Sequence, residues 1–174
     1  MANTYIQIGS TVTVGVLGAA NIDFTSIPST YTDLVLKLSL RGTDAGNYVN
    51  SRITFNGSAT GYTSKLVYGL GTGTPSSISN AVTTAVDYSA YGTGSLATTS
   101  TFGSAEIYIP NYAGSANKSL SVDQVSENNA VAAIAGLTAG LWSNTAAINQ
   151  VTITPSVGTL VQYSTASLYG IKSS

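Results

Sequence analysis

The chain has 174 residues, of which 43% are hydrophobic and only 7% charged, with six Lys and Arg against seven Asp and Glu and a formal net charge of −1. Soluble domains are ordinarily about a quarter charged, and disordered chains combine low hydrophobicity with high charge, so this composition excludes disorder and implies one folded domain spanning 1–174. The absence of Cys and His removes thiolate and imidazole zinc sites and His-based nucleophile systems, and no basic stripe exists to neutralise nucleic-acid phosphates.

The polarity is instead hydroxyl: Ser and Thr supply 24 residues each. Met1 to Tyr5 lacks a basic segment leading into an apolar one, so no secretory signal is indicated. The apolar stretch from Ala130 to Leu141 is broken by Gly136, Thr138 and Gly140 and is too short for a membrane span. The expectation is a soluble chain made in the cytoplasm, with no membrane contact.

In chain order, residues 1–20 read as an N-terminal arm or first strands, since Val12, Val14 and Val16 alternate with Thr11, Thr13 and Gly15 until Gly18 closes the run. Phe24 and Ile27 then lead to Pro28, which biases Ile27 toward extended geometry. The clearest strand follows, with Leu34, Leu36, Leu38 and Leu40 on one face and Lys37, Ser39 and Arg41 on the other. Arg52 to Phe55 and Tyr62 to Tyr68 are further strands, separated by the Asn56-Gly57 turn signal.

Gly69 to Asn80 and Tyr88 to Ser100, built of Gly, Thr, Ser, Pro and Tyr, read as two long loops. Phe102 to Ile109 places Ala105, Ile107 and Ile109 on one face and stops at Pro110. Strands are also expected over Ser119 to Val125, Ile148 to Thr154 and Ala166 to Ile171. Glu127 to Ile134 is open between a helical turn and a strand pair through Gly136. About eight to ten short strands, with no heptads and no internal repeat, specify an all-β fold: a single-domain antiparallel β-sandwich of jelly-roll type.

Candidate sites are few. Seven carboxylates are spread through the chain, and spacing selects no pair for glycoside hydrolysis. Asp123 to Asn128 lacks the glycine and alternating acids of a calcium loop, so no metal and no cofactor are expected. Gly69 to Gly73 lacks the strand–loop–helix setting and lysine of a phosphate loop. Tyrosine, with a rigid apolar face and a polar tip, is the more informative residue. Tyr88, Tyr91 and Tyr112 fall in expected loops and are the candidate binding or interface residues, whereas Tyr62, Tyr68 and Tyr169 fall in strands, where β-propensity explains them.

Two phrases, Ile22 to Leu36 with its Ile27-Pro28-Ser29-Thr30-Tyr31-Thr32-Asp33-Leu34 core and Ser164 to Lys172, together with Arg41, Ile53 to Gly57 and Glu106 to Tyr112, resemble small virion proteins encoded among the structural genes of tailed bacteriophages and cyanophages. The resemblance implies a β-sandwich subunit of a phage particle, typically a homotrimer, serving in capsid decoration (cement) or in tail or head fibres. A single small domain with no shaft and a neutral surface favours the decoration role, with the major capsid protein or other virion proteins as partners and the virion as location. The alternative is a fibre module contacting host glycan through loop tyrosines; an enzyme is the least favoured class.

Overall fold

The Leu34 run becomes a strand because its alternation matches the two-residue period of the pleat: all four leucines are buried and Lys37 is exposed. The same logic repeats along the chain. In the computed structural model, which describes residues 4–80, 82–129 and 132–172, it generates thirteen strands and no helix among those residues. They are β1 (Thr4–Gln7), β2 (Val12–Thr13), β3 (Ile22–Phe24), β4 (Asp33–Leu40), β5 (Tyr48–Phe55), β6 (Tyr62–Leu70) and β7 (Ser76–Asn80). The remainder are β8 (Val86–Thr93), β9 (Gly103–Ile109), β10 (Lys118–Ser126), β11 (Ile134–Trp142), β12 (Val151–Pro155) and β13 (Thr165–Lys172).

The strands form two antiparallel sheets, one ordered β1-β13-β4-β9-β10-β11-β6-β7 with β2 also on β13, and one ordered β3-β12-β5-β8. Within them lies a complete jelly roll. Strands β2, β13, β4 and β9 form one four-stranded layer and β3, β12, β5 and β8 the other, the chain passing between layers as two interlocked Greek keys require. The pairs β6–β7 and β10–β11 are insertions that widen the first layer beyond β9. The fold expectation therefore holds, with more strands than the eight to ten anticipated.

The core between the layers is aliphatic from β4, β9, β12 and β13, with an aromatic end where Trp142 lies stacked on Tyr62, ring centres 6.0 Å apart, and beside Phe55 at 5.6 Å. Both resemblance phrases belong to one corner of this core. The Tyr31 ring lies on Gly170, where a Cβ would come within 2.3 Å of it, and Gly170 pairs with Leu34.

Several expectations are corrected. Of the two readings of residues 1–20, first strands are found over 4–20, where β1 and β2 both pair with β13, while residues 1–3 lie outside the described residues. The early strand ends at Thr13, because a turn closed by Gly18 N–H to Gly15 O (3.0 Å) carries Val16 out to solvent. The Gly69–Asn80 loop contains β7, an edge strand whose exposed serines hide it from apolar patterning. The Tyr88–Ser100 loop is strand as far as Thr93. Of the two readings of 127–134, the strand through Gly136 is the one found, with Gly136 paired to Gln124; residues 130 and 131 lie outside the described residues.

Candidate functional site

Tyr112 is wholly buried, in a turn and not on a surface loop. Its hydroxyl donates to Pro28 O and accepts from Tyr31 N–H at 3.4 Å, and its own carbonyl accepts from Ile148 N–H at 3.0 Å. Burial raises the pKa of its phenol. Tyr112 thus clamps the corner where the resemblance phrases meet, and it offers no ring face to a ligand.

Tyr88 and Tyr91 lie on β8, the free edge of the smaller sheet, where the β5–β8 register shifts between Ser51 and Ile53. Such a bulge re-aims side chains. Tyr88 has φ +55°, a conformation that costs a bulky L-residue roughly 1–2 kcal/mol. The opposing sheet holds it there. Gln124 Nε2 (3.0 Å) and Thr138 Oγ1 (2.8 Å) both donate to the Tyr88 carbonyl, which gives these two buried polar side chains a partner across the sheets.

Side chains of β6, β7 and β11 from the larger sheet pack on this edge, and the junction, a step from one sheet to the other, gathers one apolar cluster. Tyr91, 3% exposed, packs beneath Tyr48 at 5.5 Å edge-on and Tyr88 at 6.2 Å, against Leu66 and Ile134. Half-buried Tyr48, Tyr68, Tyr88, Leu70 and Ile78 complete the cluster. On the rim, Asp87 Oδ1 accepts from Asn50 Nδ2 at 2.7 Å and from Arg52 Nε at 3.1 Å. Desolvation raises the pKa of both Tyr88 and Tyr91. Sequence type alone singles out Tyr88 and Tyr91; Tyr48, Asn50, Arg52 and Tyr68 join them only through the pairing of β5 with β8 and of β6 with β11.

A second feature lies at one end of the jelly roll, on four connecting loops. Ala19 and Leu160 exchange backbone bonds of 2.9 and 2.8 Å, Thr43 N–H reaches Thr159 O at 2.9 Å, and Ser95 and Leu96 N–H reach Asp44 and Gly46 O at 2.8 and 3.1 Å. These loops expose Val16 (77%), Leu17 (97%), Leu96 (69%) and Val157 (57%). Nothing in the local sequence except Val16-Leu17 inside a Gly-bounded turn announces this end.

The carboxylates form no cleft. Glu106 and Asp123 are direct partners across β9 and β10, but they lie on the outer sheet face, where Glu106 bonds the exposed Lys37 ammonium at 2.6 Å and raises its pKa. No group of three or more acidic side chains positioned for a metal ion occurs among the described residues. Comparison with protein-family models and with curated proteins finds no match to the chain.

Proposed function

We propose that the chain is a capsid decoration (cement) protein of a tailed bacteriophage, a homotrimer whose sparsely charged loop end seats on the assembled head. The observation that carries the reading is the cluster of Val16, Leu17, Leu96 and Val157 on adjacent loops. Isolated exposed apolar residues are unremarkable, but four on one end of a chain with so few charges form a surface fit for a partner. Full burial of each is worth roughly 1.5–3 kcal/mol, and a trimer presents three such ends at once.

The jelly roll adds support, since this architecture recurs in viral capsid and lectin domains. The resemblance to phage virion proteins adds support from the sequence alone; its residues Tyr31, Leu34, Tyr112 and Gly170 meet at one corner of the core, a folding role separate from what the surface binds. Binding only to the assembled shell would stabilise it by mass action. Expanded capsids lacking the protein should bind it in co-sedimentation, and Leu17→Asp, at a position that is nearly fully exposed, should abolish binding while leaving the fold intact. Failure of the wild-type protein to bind capsids, or strictly monomeric protein in mass photometry, would overturn the reading.

A further inference from the structure

We propose that the step at the free edge of β8 is a binding site for neutral oligosaccharide, with Tyr88 as its stacking platform and Tyr48, Tyr68 and Arg52 as its hydrogen-bonding rim. This site is separate from the loop end and does not depend on the shell-binding reading.

What marks this edge is the gathering of four tyrosines with unbonded hydroxyls, a state that Tyr5, Tyr31, Tyr163 and Tyr169 share singly elsewhere among the described residues. The hydroxyls of Tyr62, Tyr108 and Tyr112 all bond within the protein, to Phe55 O, Asp33 Oδ2 and Pro28 O. The hydroxyls of Tyr48, Tyr68, Tyr88 and Tyr91 bond none of the described residues. Arg52 uses only Nε, on Asp87, so both its Nη groups are unengaged among the described residues, and its side chain is 40% exposed. Asn50 Oδ1 is buried with no hydrogen-bond partner beside them. A buried unsatisfied acceptor costs about 1–3 kcal/mol.

The electrostatics select the ligand class. Arg52 is neutralised by Asp87 at 3.1 Å, so the step carries no net charge and gives an anion or cation no advantage. Aromatic faces, phenol hydroxyls and a guanidinium edge together match a pyranose, whose C–H faces are apolar and whose equatorial hydroxyls both donate and accept. The left-handed Tyr88 backbone fits the same role. The carbonyl is held by Gln124 and Thr138, and the ring sits 6.2 Å from that of Tyr91.

The test is an amide-resolved NMR titration of the full chain with neutral glucan, galactan and mannan tetrasaccharides to about 20 mM, a range that captures millimolar affinity. Sialyllactose serves as the charged comparison. At least one neutral sugar should shift the signals of Tyr48, Arg52, Tyr68 and Tyr88. Tyr88→Ala should weaken that binding about tenfold, equivalent to ~1.4 kcal/mol; Tyr88→Phe, which keeps the ring and the fold, should weaken it less, and Tyr5→Ala should not change it. Absence of shifts at the step with every neutral sugar, shifts confined to another face, or response to sialyllactose alone would each overturn the proposal.

Discussion

Arg41 offers the sharpest energetic test of how the loop end is built. Its guanidinium is buried without a carboxylate: Nη1 donates to Thr98 O at 2.8 Å and Thr101 O at 3.1 Å, and Nη2 donates to Ala97 O at 3.2 Å. These carbonyls line the β8–β9 connection that displays Leu96. Arg41→Met keeps the aliphatic stem and removes the donors. Thr98 O still accepts from Thr101 Oγ1 at 2.7 Å and Thr101 O from Thr93 Oγ1 at 2.5 Å, so Ala97 O is the acceptor left without its side-chain donor. An orphaned buried carbonyl costs about 1–3 kcal/mol and each lost charge-assisted bond about 1.5–3, offset by the relief of burying a cation. The expected loss is about 2–4 kcal/mol.

Urea unfolding followed by Trp142 emission measures it, because this single tryptophan is buried against Tyr62 and Phe55. Hydrogen exchange at Ser95 and Leu96, whose amides bond Asp44 and Gly46, should accelerate more than exchange in β4. A loss below about 1 kcal/mol with unchanged loop protection would refute the claim that Arg41 organises this end.

Two further perturbations probe the packing. Gly103→Ala would place a Cβ 2.1 Å from Tyr91 O and 2.9 Å from the Gly92 Cα, both backbone atoms; a cost near 3 kcal/mol, or roughly 6–12 °C in Tm by calorimetry, is expected. Stability should also fall above pH 10. Burial raises the pKa of Tyr62, Tyr91 and Tyr112, so the folded state holds protons that the unfolded state releases, and stability present below about pH 10 is lost as pH rises toward the folded values. Each such group contributes at most about 1.4 kcal/mol per pH unit; a flat profile from pH 9 to 11.5 in urea titrations would contradict the burial assigned to them.

What was legible in the sequence follows from where period-two alternation survives. β9 and β10 each bury one face and expose the other, so Phe102 to Ile109 and Ser119 to Val125 read correctly; β4 reads as a strand too, but its second face also buries Val35, and Arg41, expected outside with Lys37, is buried at its end. β8 is nearly buried on both sides and slips register at Tyr88, which erases the alternation and makes Tyr88 to Thr93 look like loop. β7 is an edge whose only large apolar residue is Ile78. Residue type singles out Tyr88, Tyr91 and Tyr112 alike, yet Tyr88 and Tyr91 lie on strand β8, Tyr91 almost wholly buried, and Tyr112 clamps a turn, since a buried tyrosine and a tyrosine on a surface loop have the same local sequence. The rest of the step comes from strands 20 to 40 positions away, and the loop end exists only because the jelly roll gathers four distant turns.

The central claim is that this end faces a capsid shell, and cryo-electron microscopy of the intact phage particle tests it most directly. Threefold clusters of jelly-roll density are expected on the head, with Leu17, Leu96 and Val157 at the contact with the major capsid protein. Density for this chain on the tail alone, or on the head with those three residues pointing to solvent, would contradict it.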